Sequence, residues 1–434
     1  MKAIIKPSQL SGTVKAIASK SHAHRILICA ALSDKDSYVI CEEASEDIKA
    51  TVACLNELGA VIERKKDGFL VHPISKNNIN EKDMDEHNID CNESGSTLRF
   101  LLPIVAILDS KTNIYSRGRL PYRPLSPLYE ELVSHGAKIS KQGEVPLIVE
   151  GKICSGEYVL PANISSQYIS GLLFALPLLD GDSVISLTDK IESKSYIDMT
   201  IDVLKMFSID IKWDDNKIYV KGNQSYISPS KIVVEGDWSN IAFWLCAGAL
   251  GDDEIKCTNL NFNSLQGDKA IVKLLDEFGS TIEIYEENGV KNSVGIKQDI
   301  RKGIIIDANN IPDLVPILAL VASVSNGITR IINASRLRLK ESDRIESVVT
   351  TLKKLGADIS ETEDGMIIVG KEYLEGGEVD SYNDHRIAMM SAIASVVSKN
   401  PVIINDAGAV NKSYSGFYED YEKLGGNLVL EPWF

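Results

Sequence analysis

Two periodic series, each stepping about 72 residues and running in phase, constrain this 434-residue chain more than any single motif. In the first, an amphipathic apolar spacing ends at Gly59, Gly136, Ser208, Gly279, Gly356 and Gly425, each followed at once by a short alternating segment. That pattern predicts a helix closed by a residue in the left-handed conformation and feeding directly into a strand. Serine at 208 is the one departure, and it weakens that cap. In the second series, six strongly apolar helices start near Ser21, Gly95, Ser166, Ser239, Asp313 and His385, at spacings between 71 and 74 residues. Helices apolar on nearly every face belong inside a core. Each unit therefore combines strands with one buried and one amphipathic helix.

Units opening near 19, 91, 161, 235, 309 and 381 leave the last one short, and the first 18 residues make up the difference. The N-terminal strand is thus expected to complete the sixth unit, which puts both termini in one domain. Residues 19–234 would form one lobe of three repeats, and residues 1–18 with 235–434 the second, with hinges near 18 and 234. The predicted class is α/β in the α+β sense.

Charge and cysteine usage narrow the function classes. Lys and Arg number 46 against 61 Asp and Glu, a net charge of −15, which argues against a general nucleic-acid or anionic-membrane surface. The apolar stretches at 98–108 and 241–250 fall short of a membrane span, and the first residues lack a signal-peptide core. Seven scattered cysteines with no Cys-x-x-Cys pair build neither a disulfide framework nor a zinc site. Reduced thiols in the cytoplasm are the expectation.

Five of the six buried helices open with residues suited to anions: Ser19-Lys20-Ser21 with Arg25, Ser94-Gly95-Ser96 with Arg99, Ser165-Ser166-Gln167, Pro312-Asp313, and Asn383-Asp384-His385-Arg386. A helix N-terminus offers unpaired N–H groups and a positive dipole end. Ser and Asp there are also ordinary caps, but capping does not explain cations in the first turns, where they oppose the dipole. Further basic islands lie at Arg117–Arg123 (a tight, Pro-interrupted loop), at 336–344 and at Lys412. The alternation at 336–344 reads as a strand running into a helix, and Asp343 with Glu346 has capping-box spacing that places Arg344 in the first turn. His22 and His24 alternate at a strand-to-helix entry, and all the histidines suit hydrogen bonding better than metal binding.

Several cations around serine hydroxyls imply a ligand with more than one anionic group, since Arg matches carboxylate and phosphate through paired hydrogen bonds. Among them Asp313 and Glu341 could transfer protons. The chain has no Gly-rich nucleotide loop and no cysteine nucleophile paired with a base.

At these residues the chain resembles the 3-phosphoshikimate 1-carboxyvinyltransferase (EPSP synthase) family, with matching segments in order along its whole length. The resemblance implies a two-lobed inside-out α/β barrel, each lobe three βαβαββ repeats around buried helices, closing over the substrates. It implies transfer of the enolpyruvyl group of phosphoenolpyruvate to the 5-hydroxyl of shikimate 3-phosphate, in the pathway to aromatic amino acids. Lys20 would touch both substrates. Ser21, Arg25, Ser165, Ser166, Gln167, Ser193, Tyr196, Asp313 and Lys340 would hold shikimate 3-phosphate. Gly95, Arg123, Gln167, Arg344, Arg386 and Lys412 would hold phosphoenolpyruvate. Asp313 would take the 5-hydroxyl proton, while Glu341 and Lys20 would deliver protons to the enolpyruvyl group. The resemblance further implies a monomer with no cofactor and no metal, and a phosphoenolpyruvate site open to the inhibitor glyphosate, for which Gly95 leaves room. Arg336 departs from the family pattern, where many relatives carry a small polar residue, and is left without a role; Ser96 stands where threonine is frequent. A related UDP-N-acetylglucosamine enolpyruvyltransferase would carry a loop cysteine that Arg117–Arg123 lacks, and would lack the Ser165-Ser166-Gln167 cradle. An RNA 3′-phosphate cyclase would want a catalytic histidine and ATP. A non-catalytic protein that merely stores or senses a diphosphorylated ligand would gain nothing from the paired acids Asp313 and Glu341.

Overall fold

The computed structural model describes residues 1–74, 86–108, 110–299 and 301–432. Among these residues the strands form six four-stranded sheets with one shared wiring. In each, an outer strand runs parallel to its neighbour, and the two remaining strands follow antiparallel. One repeat illustrates the order. Strand Glu157–Pro161 leads to the buried helix Ser166–Ala175, then strand Ser183–Thr188, the amphipathic helix Lys194–Met206, and the hairpin Ile211–Asp214 with Lys217–Val220.

The chain divides into two compact units, residues 1–17 with 235–434, and residues 18–234. In the first unit the buried helices Trp238–Leu250, Val315–Ser323 and His385–Ala394 pack against one another. Every described residue of these three is buried, as expected for helices apolar all round. The sheets cover them with one face each, as the alternating burial of Ile328–Ile332 shows. The second unit is built alike around Lys20–Ala31, Gly95–Val105 and Ser166–Ala175, with a core of its own.

The repeat-closing residues behave uniformly. Gly59, Gly136, Gly279, Gly356 and Gly425 have φ between 97° and 116°, and Ser208 also adopts a positive φ, of 62°. The Ser208 and Ile209 amides close back onto Lys205 and Leu204, so the helix-ending hydrogen bonds form in spite of the side chain.

The N-terminal residues are split between two repeats. Strand Lys2–Lys6 sits between Val402–Asn405 and Asn427–Glu431, completing the sixth sheet. Strand Gly12–Lys15 instead pairs parallel with Ile255–Thr258 in the fourth. Its counterpart Lys231–Val233 pairs with Ser37–Ile40 in the first. Two local expectations are corrected. Residues Ser335–Leu339 form a 3-10 turn rather than a strand, because the Leu337 amide closes onto Ala334 and buries the Leu337 side chain. His22 and His24 lie within the Lys20–Ala31 helix rather than on a strand leading into it.

Candidate active site

In the second unit, three helix starts carry the polar residues. Ser19 caps the first helix, accepting from the His22 amide, and puts Lys20 and Ser21 in its opening turn. Lys20 Nζ donates to Asp47 Oδ2 at 2.8 Å. Arg25, one turn further on, is buried over the Phe100 ring. Its guanidinium donates to Thr200 Oγ1 (2.8 Å), to the Ser21 carbonyl (2.7 Å), to the Tyr196 carbonyl (3.0 Å) and to Ser170 Oγ (3.5 Å). Among the described residues no carboxylate pairs with Arg25, and burial lowers its pKa to about 10. Ser193 stands in the left-handed region at the start of helix Lys194–Met206, and its carbonyl accepts from the Tyr196 amide. Burial, reinforced by Lys20 and Arg25, keeps His24 well below the usual histidine range; its Nδ1 meets Thr51 Oγ1 at 2.7 Å, a structural role.

The Gly95–Val105 and Ser166–Ala175 helices meet through side chains. Arg99 Nη1 donates to Gln167 Oε1 at 2.8 Å, and Gln167 Nε2 donates to Ser96 Oγ at 2.8 Å. Ser165 caps its helix by accepting from the Gln167 amide. A side chain at Gly95 would place its Cβ 2.9 Å from Arg123 Nη1 and 3.2 Å from Arg99 Nη1. Two guanidinium groups therefore lie over this helix mouth.

In the first unit, Asp313, Lys340, Glu341, Arg344 and Arg386 come together. Asp343 caps helix Arg344–Lys354 through the Ile345 and Glu346 amides, which fixes Arg344 as its first residue. Arg344 Nη1 donates to Asp313 Oδ1 and Nη2 to Glu341 Oε2, both at 2.7 Å. Burial of the Arg344 guanidinium opposes its charge, yet Asp384, Glu341 and Asp313 outweigh this and raise its pKa. Burial pushes the Asp313 carboxyl up, but Arg386, Lys340 and Arg344 hold it well below the ordinary carboxylate range. Lys340 Nζ lies 3.5 Å from Asp313, and burial lowers its pKa. Arg386 Nη2 reaches Asp313 Oδ2 at 3.3 Å, and Lys412 Nζ donates to the Asn383 carbonyl next to Asp384. Arg336 donates to the Asn309 carbonyl, and its charge adds to the lowering of Lys340.

Sequence reading missed three members of these clusters. Ser239, at the one helix mouth passed over as unsuited to anions, accepts from Arg386 Nη2 at 2.7 Å. Asp268 is a lone acid in an ordinary segment and Asp47 follows Glu42, Glu43 and Glu46; only burial marks the one and its partner the other. No helix among the described residues is long and apolar enough to cross a membrane.

Six like-wired sheets around buried helices define an α/β fold whose helix starts carry clustered cations, hydroxyls and acids. The family model for EPSP synthase (3-phosphoshikimate 1-carboxyvinyltransferase) matches residues 4–421. A 3-phosphoshikimate 1-carboxyvinyltransferase of Clostridium perfringens is 49% identical over 433 residues, covering 99% of this chain and all of that one. A Clostridium acetobutylicum enzyme of the same name is 46% identical, covering 98% and 97%. The solved EPSP synthase of Acinetobacter baumannii shares the fold, with a TM-score of 0.82 over 99% of this chain and 100% of that one, at 24% identity. The chain belongs to the EPSP synthase family.

Proposed function

We propose that these two clusters bind and turn over the substrates of the family reaction, enolpyruvyl transfer from phosphoenolpyruvate to the 5-hydroxyl of shikimate 3-phosphate. The observation that carries the reading is that Asp313 and Glu341 take separate nitrogens of one buried guanidinium, Arg344. Two acids so placed can act on successive protons of one reaction, while the guanidinium keeps their geometry fixed.

Shikimate 3-phosphate draws on Lys20, Ser21, Arg25, Ser165, Ser166, Gln167, Ser193, Tyr196, Asp313 and Lys340. Arg25 supports this, being a buried cation whose partners among the described residues are all neutral. Phosphoenolpyruvate draws on Lys20, Gly95, Arg123, Gln167, Arg344, Arg386 and Lys412. Its carboxylate and phosphate then share the cations that hold Asp313 down. Loss of part of that field raises the proton affinity of Asp313, readying it to accept the 5-hydroxyl proton.

The sequence of bonds follows. One proton, delivered by Glu341 with Lys20, adds to the methylene carbon of phosphoenolpyruvate, leaving positive character at the adjacent carbon. The 5-oxygen bonds to that carbon as Asp313 takes its proton. The tetrahedral adduct then returns a methyl proton to the group that gave it as the carbon–oxygen bond to phosphate breaks, regenerating the double bond and releasing inorganic phosphate. Fixed cations stabilise the departing phosphate. The chain works as a monomer in the cytoplasm, a point that sedimentation and cell fractionation check.

Phosphate release from phosphoenolpyruvate tests the reading. It is expected with shikimate 3-phosphate and not with UDP-N-acetylglucosamine as acceptor; no release with shikimate 3-phosphate overturns it. Arg25→Gln should raise the KM for shikimate 3-phosphate alone.

A further inference from the structure

Asp268 lies in the 3-10 turn Gly267–Ala270 of the fourth repeat and is 1% exposed. Its Oδ2 accepts from Ser239 Oγ at 2.5 Å, and Ser239 Oγ in turn accepts from Arg386 Nη2 at 2.7 Å. The direction of this chain is dictated by chemistry. Arginine can only donate, so the one proton of the Ser239 hydroxyl must point to Asp268. An ionised acceptor at the far end polarises the hydroxyl and strengthens its grip on Arg386. Arg386 Nη1 is held as well, by the Asp313 carbonyl at 3.1 Å and the Ser239 carbonyl at 3.5 Å. The guanidinium is thus fixed along one edge by groups from two other repeats.

We propose that Asp268 is a positioning residue for enolpyruvyl transfer, orienting Arg386 toward phosphoenolpyruvate through the Ser239 hydroxyl. This rests on the assignment of Arg386 to that substrate. Burial, and then the charge of Asp313, push the Asp268 carboxyl up to about 6, with Asp237 adding and Arg386 and Ser239 opposing. A carboxylate held in such surroundings costs stability at neutral pH, as groups retained for function often do.

Steady-state kinetics on the full chain test the proposal. Asp268→Asn keeps the shape and removes the charge. It is expected to raise the KM for phosphoenolpyruvate about tenfold, with the KM for shikimate 3-phosphate within about twofold of wild type and no fall in thermal midpoint. Ser239→Ala removes the relay, so it should raise the same KM, and adding Asp268→Asn to it should change nothing further. Should Asp268→Asn fail to fold, Ser239→Ala decides alone. A wild-type KM in whichever single variant folds overturns the proposal, as does an equal further rise in the double variant. Wild-type phosphoenolpyruvate affinity in Arg386→Ala would instead defeat the underlying assignment.

Discussion

Arg344 Nε donates to Asp384 Oδ2 at 2.7 Å, and the two side chains are 1% and 0% exposed. Asp384 also caps helix His385–Ala394 by accepting from the Arg386 amide. One carboxylate therefore ties the start of the Arg344 helix to the helix that carries Arg386. The cation and the carboxylate are so deeply buried that neither tolerates loss of the other.

Arg344→Ala leaves Asp384 charged and buried. It should lower the unfolding free energy by about 3–5 kcal/mol, measured by urea denaturation near neutral pH. A loss under about 1 kcal/mol would show that water or another cation replaces the guanidinium.

Gly95→Ala tests the mouth of the Gly95–Val105 helix. The added Cβ would lie 2.9 Å from Arg123 Nη1, the tip of a flexible side chain. Stability should change by less than about 1 kcal/mol, because a guanidinium can swing aside and alanine suits a helix. The KM for phosphoenolpyruvate should nonetheless rise, since Arg123 and Arg99 no longer keep their positions. An unchanged KM would remove these groups from the site.

The Asp268 carboxyl, raised to about 6, gives a signed prediction for pH. Between pH 4 and 6 the folded chain binds more protons at this site than the unfolded chain, so its contribution to stability falls as pH rises. The loss totals roughly 2–3 kcal/mol and is complete by about pH 7. Asp313 has the opposite sign: its depressed value favours folding above about pH 4 and loses that benefit as pH falls further. Asp268→Asn should therefore be more stable than wild type at pH 8 by about 1–2 kcal/mol, with the difference closing toward pH 4. Denaturation at the two pH values checks it; a variant less stable at pH 8 contradicts it.

Ser208 adopts the left-handed conformation that glycine supplies in the five other repeats. Ser208→Gly relieves the side-chain strain and should raise the unfolding free energy by about 0.5–1 kcal/mol. Thermal denaturation reads this out, and a lower midpoint would refute it.

Much of the architecture was legible because it rests on local chemistry. A helix that ends at Gly279 or Gly356 does so through hydrogen bonds within one turn, so the spacing of such residues exposes the repeat. Caps at Ser19, Ser94, Asp343 and Asp384 are equally local. Alternation misled at Ser335–Leu339, where period two on paper became a 3-10 turn that buries Leu337.

The amino-acid order alone determined the sixfold period, the helices that must be buried, and the cations that crowd their first turns, since each follows from side-chain hydrophobicity and backbone preference within a few residues. Tertiary structure alone decided which sheet accepts Gly12–Lys15, and that Ser239 reaches Arg386 while Asp268 reaches Ser239. Strand pairing and buried hydrogen bonds join residues far apart in the chain, and no local pattern records which distant partner closes them.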